Sequence, residues 1–173
     1  LSGWVDELHV KYKHLFETYD GEGDGMYGYK EGDILRGIEV GDAWKEIVVR
    51  LLDTLEWHRT HNTYVPNPDY VPDPDNPYSD TNPKYLDGGP NMVQVFQIKE
   101  KFGKLRVSVK CAENIREGVE HAIGYAEGQS DLTCYSCGSV GRWEMSTKSW
   151  MIRLCDKCVS EREKEEENEM QVL

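Results

Sequence analysis

Four cysteines carry the clearest chemistry in the chain. Cys134-Tyr-Ser-Cys137 and Cys155-Asp-Lys-Cys158 are two C-x-x-C pairs with 17 residues between them. That spacing falls within the C-x2-C-x15–20-C-x2-C pattern of a four-cysteine zinc site. Each pair can wrap a tight turn that aims both sulfurs at one point, and the residues between suffice for a hairpin that returns the second pair to the first. Zinc suits four soft thiolates in tetrahedral positions, and such a closed shell holds a fold together without leaving a place for water or substrate. Disulfides and an iron–sulfur centre are the competing uses; the paired spacing favours structural Zn2+. The fifth cysteine, Cys111, reads as a small buried hydrophobe.

A second metal pattern is weaker. Asp20–Glu31, counted as a twelve-residue loop, places acids Asp20, Glu22, Asp24 and Glu31 at positions 1, 3, 5 and 12, with Gly25 at position 6. This approaches the oxygen-ligand Ca2+ loop. Glu at position 3 is longer than usual, Tyr27 stands where an aliphatic is expected, and Gly32 and Gly37 weaken an exit helix. A solvated acidic loop is the expectation, with Ca2+ the sharper alternative. His58 and His61, at i and i+3, have no local carboxylate or thiol to complete a site and read as packing or surface residues.

The third chemical feature is charge. The formal charge is −12, which argues against nucleic acid binding over the whole surface, because phosphate contact is driven by Lys and Arg. Against that background Lys99, Lys101, Lys104, Arg106 and Lys110 face only Glu100, a local charge near +4. Such a patch is a candidate surface for an anion or an acidic partner.

The elements that must position these groups can be read from periodicity. Residues 2–19 predict an amphipathic helix through Trp4, Leu8, Tyr12, Leu15, Phe16 and Tyr19, with Ser2 as N-cap. Asp42 caps a second predicted helix, running to about His58 with Trp44, Ile47, Val48, Leu51, Leu52 and Leu55 as its apolar stripe. Met92–Lys99 and Leu105–Cys111 predict two strands about a turn at Lys101–Lys104 where Gly103 is free to take positive φ. Leu105, Val107, Val109 and Cys111 should face one way and Lys104, Arg106, Ser108 and Lys110 the other. Ile115–Glu127 predicts a helix, with Asn114 and Glu117 spaced as a capping box and His121 on its exposed face.

Between these lies Tyr64–Pro90, which holds all seven prolines and the echo Tyr64-Val-Pro-Asn-Pro-Asp69, Tyr70-Val-Pro-Asp-Pro-Asp75. It predicts an extended polyproline-like surface insertion, or more sharply a lid or partner-binding arm. The resulting fold class is α+β: N-terminal helices, a β-hairpin or small antiparallel sheet with a packed helix, and a C-terminal four-Cys zinc ribbon. The organisation is a core domain over 1–129 with the Pro/Asp-rich loop at 63–91, a ribbon over 130–160 and an acidic tail over 161–173. No apolar run approaches the ~18 residues of a membrane span, and no secretory signal is seen. Metal-spaced cysteines argue for a reducing compartment.

The succession Lys11-Tyr-Lys-His-Leu-Phe16, Glu39-Val-Gly-Asp-Ala-Trp44, Gln97-Ile-Lys-Glu-Lys-Phe-Gly-Lys-Leu-Arg106, Ala126-Glu127 with Ser130, and the Cys quartet resembles a family of small, functionally uncharacterised bacteriophage and prophage zinc-ribbon proteins. The Gln-x-Lys-Glu-Lys-Phe-Gly-x-Leu-Arg block is the specific part, and the likeness covers roughly residues 8–58 and 92–158. Family members commonly have Gly-Gly before Leu-Arg, where this chain has Gly103-Lys104, and are usually shorter, so that 21–36 and 64–90 look like insertions. The resemblance implies a phage context, a host-cell cytoplasmic site of action and no transferable activity. It also implies that Asp42, Gln97, Lys99, Glu100, Lys101, Arg106 and Glu127 form a binding surface, and Phe102 or Trp44 is the candidate aromatic wall for an anion held there.

No nucleophile–base motif, open metal site or phosphate-cradling loop stands out, so no catalytic residue is expected. The leading expectation is a non-enzymatic binding protein acting on a host defence or regulatory protein. The alternatives are a sink for an anionic, nucleotide-like small molecule on the basic hairpin, and a nucleic-acid-associated zinc-ribbon factor. No membrane partner is expected.

Overall fold

The computed structural model describes residues 3–16, 37–72, 83–143, 145–146 and 151–171. Its centre is a pair of long β-strands, β4 (Val93–Lys101) and β5 (Lys104–Cys111), covered by two helices, α3 (Lys45–Thr60) and α4 (Arg116–Asp131). The N-terminal helix is expected to be continuous but divides into α1 (Gly3–Lys11) and α2 (Lys13–Phe16). The break falls at buried Tyr12, whose hydroxyl donates to Asp53 on α3 at 2.5 Å. Trp4, Val5, Leu8, Leu15 and Phe16 from these turns join Trp44, Val48, Leu51, Leu52 and Leu55 of α3 and its entry in one core.

The sheet is mixed rather than antiparallel. A two-residue strand β1 (Ile38–Glu39) lies parallel to β4, pairing Ile38 with Ile98 and Glu39 with Lys99, in the order β1-β4-β5. Gly37 starts it because nothing larger fits: a Cβ there would lie 2.2 Å from the Phe16 ring. β4 carries a bulge at Phe96, between the Val95–Val109 and Gln97–Ser108 pairs. The extra residue moves the inward set from Val93 and Val95 to Ile98, all fully buried. In β5 the expected alternation holds, with Leu105 buried and Arg106, Ser108 and Lys110 exposed.

α4 guards the free edge of β5. The buried Ser130 hydroxyl accepts the Leu105 backbone N–H at 3.1 Å and donates to Glu127 O at 2.6 Å. Removing that hydroxyl would leave an amide of a fully buried strand residue without a partner. Ser130→Ala is therefore expected to lower unfolding free energy by about 1–3 kcal/mol in urea melts, with Leu105 losing amide-exchange protection first.

Two helix starts differ from expectation for one reason: the capping side chains found distant partners. Asp42 opens a 3-10 turn, Asp42–Trp44, and its carboxylate accepts the Trp4 indole N–H at 2.6 Å rather than capping α3. Asn114 lies in the 3-10 turn Glu113–Ile115 and donates to Asn62 O at 3.2 Å and Asn91 Oδ1 at 2.9 Å, so no capping box forms. Asn91 in turn donates to His58 O and His61 O at 2.9 and 2.8 Å, satisfying carbonyls at the C-terminal end of α3.

The Pro/Asp-rich insertion is not simply polyproline-like where it is described. Its two ends zip into an exposed antiparallel pair, β2 (Tyr64–Pro66) with β3 (Tyr85–Asp87). Asp87 accepts the Gly89 amide and the Thr63 hydroxyl, which hold its carboxyl below the usual range. A second, smaller hydrophobic cluster gathers Cys134, Ile152, Leu154, Cys155 and Cys158. The acidic tail is helical as far as it is described: α5 (Asp156–Gln171) begins within the second cysteine pair, with Lys157–Glu161 and Arg162–Glu166 pairs at i, i+4. No helix among the described residues is long and apolar enough to cross a membrane.

Candidate metal centre and hairpin face

The four cysteine sulfurs converge as their spacing predicts. All four Sγ atoms lie within 4.8 Å of one another, and Cys137 and Cys155 are 3.6 Å apart. A disulfide needs about 2.05 Å. A tetrahedral shell with metal–sulfur bonds near 2.3 Å has sulfur–sulfur edges of roughly 3.8 Å, which matches. The cluster can hold a metal ion.

The first pair sits in a tight knuckle. The Gly138 amide donates to Cys134 O at 2.9 Å, Cys134 N donates to Ser139 O at 2.9 Å, and Gly138 takes φ +76°, a conformation that suits glycine. The second pair arrives by the short ladder β6 (Met145–Ser146) with β7 (Ile152–Arg153), and Tyr135 N donates to Arg153 O at 2.9 Å across the two halves. The Cys155 amide points at Cys134 Sγ, 3.3 Å away. Cys134, Cys155 and Cys158 are buried and Cys137 is exposed. Hydrogen bonds from Ser139 hold the Cys137 thiol down to about 6, whereas burial and the neighbouring Cys155 and Cys137 thiols push Cys158 up to about 12.

The knuckle is fastened to the core through Trp44. This residue is fully buried, its indole donates to Thr133 O at 3.4 Å, and its ring meets Tyr135 edge-on at 5.0 Å. It therefore presents no face to a ligand of the hairpin; it is the joint between the two hydrophobic clusters. Arg153 adds a polar tie, reaching Asp131 at 3.5 Å and Trp143 O at 2.7 Å.

The strand register gathers the basic residues on one sheet face. Gln97 faces Ser108, Lys99 faces Arg106, and Lys101 faces Lys104 directly across the ladder. Opposed like charges destabilise a sheet. Acids from other elements border the face: Gln97 donates to Glu39 at 3.2 Å, Lys104 meets Asp131 at 3.4 Å, and Arg106 meets Glu127 at 3.4 Å. Counting Glu39, Glu127 and Asp131 with Glu100, five bases oppose four acids and the local charge falls from +4 to +1. Glu100 is spent in the turn, accepting the Gly103 amide at 2.6 Å.

The turn itself is Phe102-Gly103, with φ +54° and +72°. Two positive φ values mark the type I′ hairpin turn, which prefers Asn-Gly. A phenylalanine there is an outlier worth roughly 1–2 kcal/mol. Its ring is nonetheless 62% exposed, with Lys101 Nζ 5.5 Å from its centre. Phe102→Asn is therefore expected to raise stability by about 1 kcal/mol, read as a higher urea midpoint at unchanged m.

The calcium candidates Asp20, Glu22, Asp24 and Glu31 lie outside the described residues. His58 and His61 do not form a pair with one another: His61 stacks on Trp57 at 4.6 Å, while His58 packs against Gly118 of α4. Burial lowers the His58 pKa. No family model, curated protein or solved structure matches the chain.

Proposed function

We propose that this is a non-enzymatic binding protein whose C-terminal module is closed by a structural Zn2+ and whose working surface is the hairpin face. Zinc is supported by the donor set, four thiolates at tetrahedral spacing. The observation that carries the binding reading is local disfavour concentrated in one place. Phe102 is exposed at a positive φ, and Lys99–Arg106 and Lys101–Lys104 oppose like charges. Each weakens the hairpin on its own account, and such costs cluster where a surface is shaped for contact. An exposed aromatic with Lys101 against its ring suits an acidic protein surface with an apolar recess. Taken with the resemblance to phage and prophage proteins, the partner is a host defence or regulatory protein met in the host cytoplasm.

The test is Lys101→Glu combined with Phe102→Asn. The pair removes a like-charge opposition and the turn strain, so the thermal midpoint should rise. Capture of the partner from host lysate, identified by mass spectrometry against the wild-type chain, should disappear. Retained capture, or a lowered midpoint, would overturn the reading.

A further inference from the structure

The hairpin also ends in an unpaired edge. The order β1-β4-β5 leaves β5 outermost, and among the described residues no strand lies beyond it. Hydrogen bonds fix which amides face outward. Ala112 N–H donates to Met92 O beside β4, whereas Leu105 N–H donates to Ser130 on α4. Ile98 N–H, on the residue opposite Val107, donates to Gly37 O on the β1 side. Bonding direction alternates along an antiparallel strand. Lys104, Arg106, Ser108 and Lys110 therefore turn their amides to β4, and Leu105, Val107 and Val109 turn theirs away. Ser130 closes the edge at Leu105. From Val107 onward the outward N–H and C=O groups face a position that a further strand can fill. Such an edge is normally blunted by proline, a bulge or a cover; β5 contains no proline, and the bulge lies in β4.

Side chains beside that edge select its occupant. Arg106, Ser108 and Lys110 are exposed on one face, and Val107 and Val109 are half-buried on the other. A second copy of β5 paired antiparallel about Ser108 would set Arg106 against Lys110, a like-charge opposition. An acidic strand would set carboxylates there instead. We propose that β5, from Val107 to Cys111, takes up an extended acidic segment of a partner protein as an antiparallel strand in which acidic and apolar residues alternate. Side chains change face with period two, so the acids meet Arg106 and Lys110. The apolar residues meet Val107 and Val109, beside half-buried Ile123 on the flank of α4 that carries Glu127. Arg106 exchanges its exposed contact with Glu127, 3.4 Å away, for a carboxylate of the partner at little cost. Main-chain bonds supply the affinity and the alternating side chains the selectivity. This mode of attachment rests on the hairpin being the working surface, and it names the element of the partner that is held.

The probe is a short peptide of alternating Glu and Val with blocked ends, titrated into the full zinc-loaded chain by NMR. It should shift the Val107 and Val109 amides saturably and slow their exchange, and a Lys-Val peptide should do neither. In an antiparallel addition the apolar residues turn their own amides to β5. N-methylation of the valines should therefore abolish binding while every side chain is kept. Val107→Pro removes an outward donor at an edge position that tolerates proline. It should weaken binding about tenfold, with amide shifts elsewhere in the sheet preserved; if this variant does not fold, the methylated peptide still decides. Lys110→Glu should weaken binding as well. Strand addition is overturned if the Glu-Val peptide leaves both amides unmoved. It is overturned equally if the methylated peptide binds as tightly as its parent, which would mark attraction by charge alone. Either result leaves the hairpin reading standing, because capture of a host protein and its loss in the tip variant are read separately.

Discussion

Stripping the metal from the cysteine cluster should unfold the C-terminal module while the helix–sheet core persists. Among the described residues, and apart from the cysteines, its hydrophobic cluster buries Ile152 and Leu154, with Tyr135, Trp143 and Val159 packed partly against it. So small an apolar core does not repay the entropy of ordering the chain. The structural zinc proposed above would supply the missing stabilisation, since such sites contribute about 10–16 kcal/mol of apparent binding free energy in small domains. Chelation, or Cys134→Ser, should therefore erase amide-exchange protection across 133–158, including the Thr133–Val140 bridge and the β6–β7 ladder. The hairpin amides of β4 and β5 should keep most of theirs. Cys111→Ser, outside the cluster, should leave metal content unchanged. Exchange and melting behaviour that do not move on metal loss would show that the thiolates hold nothing together.

Most of this architecture is legible in the sequence because its signals are local. The stripe from Trp44 to Leu55 gives α3, the alternation from Leu105 to Cys111 gives β5, and the C-x-x-C spacing gives the converging sulfurs. Even the β4 bulge leaves a trace, since buried Val93 and Val95 are followed by Ile98 rather than Gln97. What escapes is tertiary. β1 is two residues long and exists only because β4 offers it an edge. Asp42 and Asn114 look like helix caps because cap chemistry is local, yet Trp4 and Asn91 outcompete the backbone for them. The charge of the hairpin is misjudged from sequence for the same reason. Glu39, Glu127 and Asp131 lie far along the chain, and the fold brings them beside Gln97, Arg106 and Lys104.

This redistributes the positions that the sequence offers as one binding surface. Asp42, Trp44, Glu100 and Glu127 have structural partners that account for them without a ligand. Lys99 and Lys101 remain on the exposed ladder face, with Phe102 at its tip. The blocks of the signature meet in space chiefly along the seam between β5 and α4, where Leu105 bonds Ser130 and Arg106 meets Glu127. A seam of that kind fixes how the hairpin is presented, which is the link between its packing and its use as a surface.

Trp44→Ala should strongly destabilise the helix–sheet core. The side chain is fully buried, and truncating a buried tryptophan costs about 3–5 kcal/mol. Here the loss falls at a joint, since Trp44 touches the core cluster on one side and Tyr135 with Thr133 on the other. The expected outcome has two parts. Global stability drops by several kcal/mol in urea, and the metal module, still closed by its own ligands, ceases to melt with the core. Two calorimetric transitions should then replace one, the metal-dependent one surviving at higher temperature. Trp44→Phe fills most of the space and gives up only the 3.4 Å bond to Thr133 O, so it should cost about 1 kcal/mol and keep a single transition. If Trp44→Ala still melts as one unit, the coupling runs instead through Arg153 and Asp131, and Asp131→Ala is the variant that should separate the two parts.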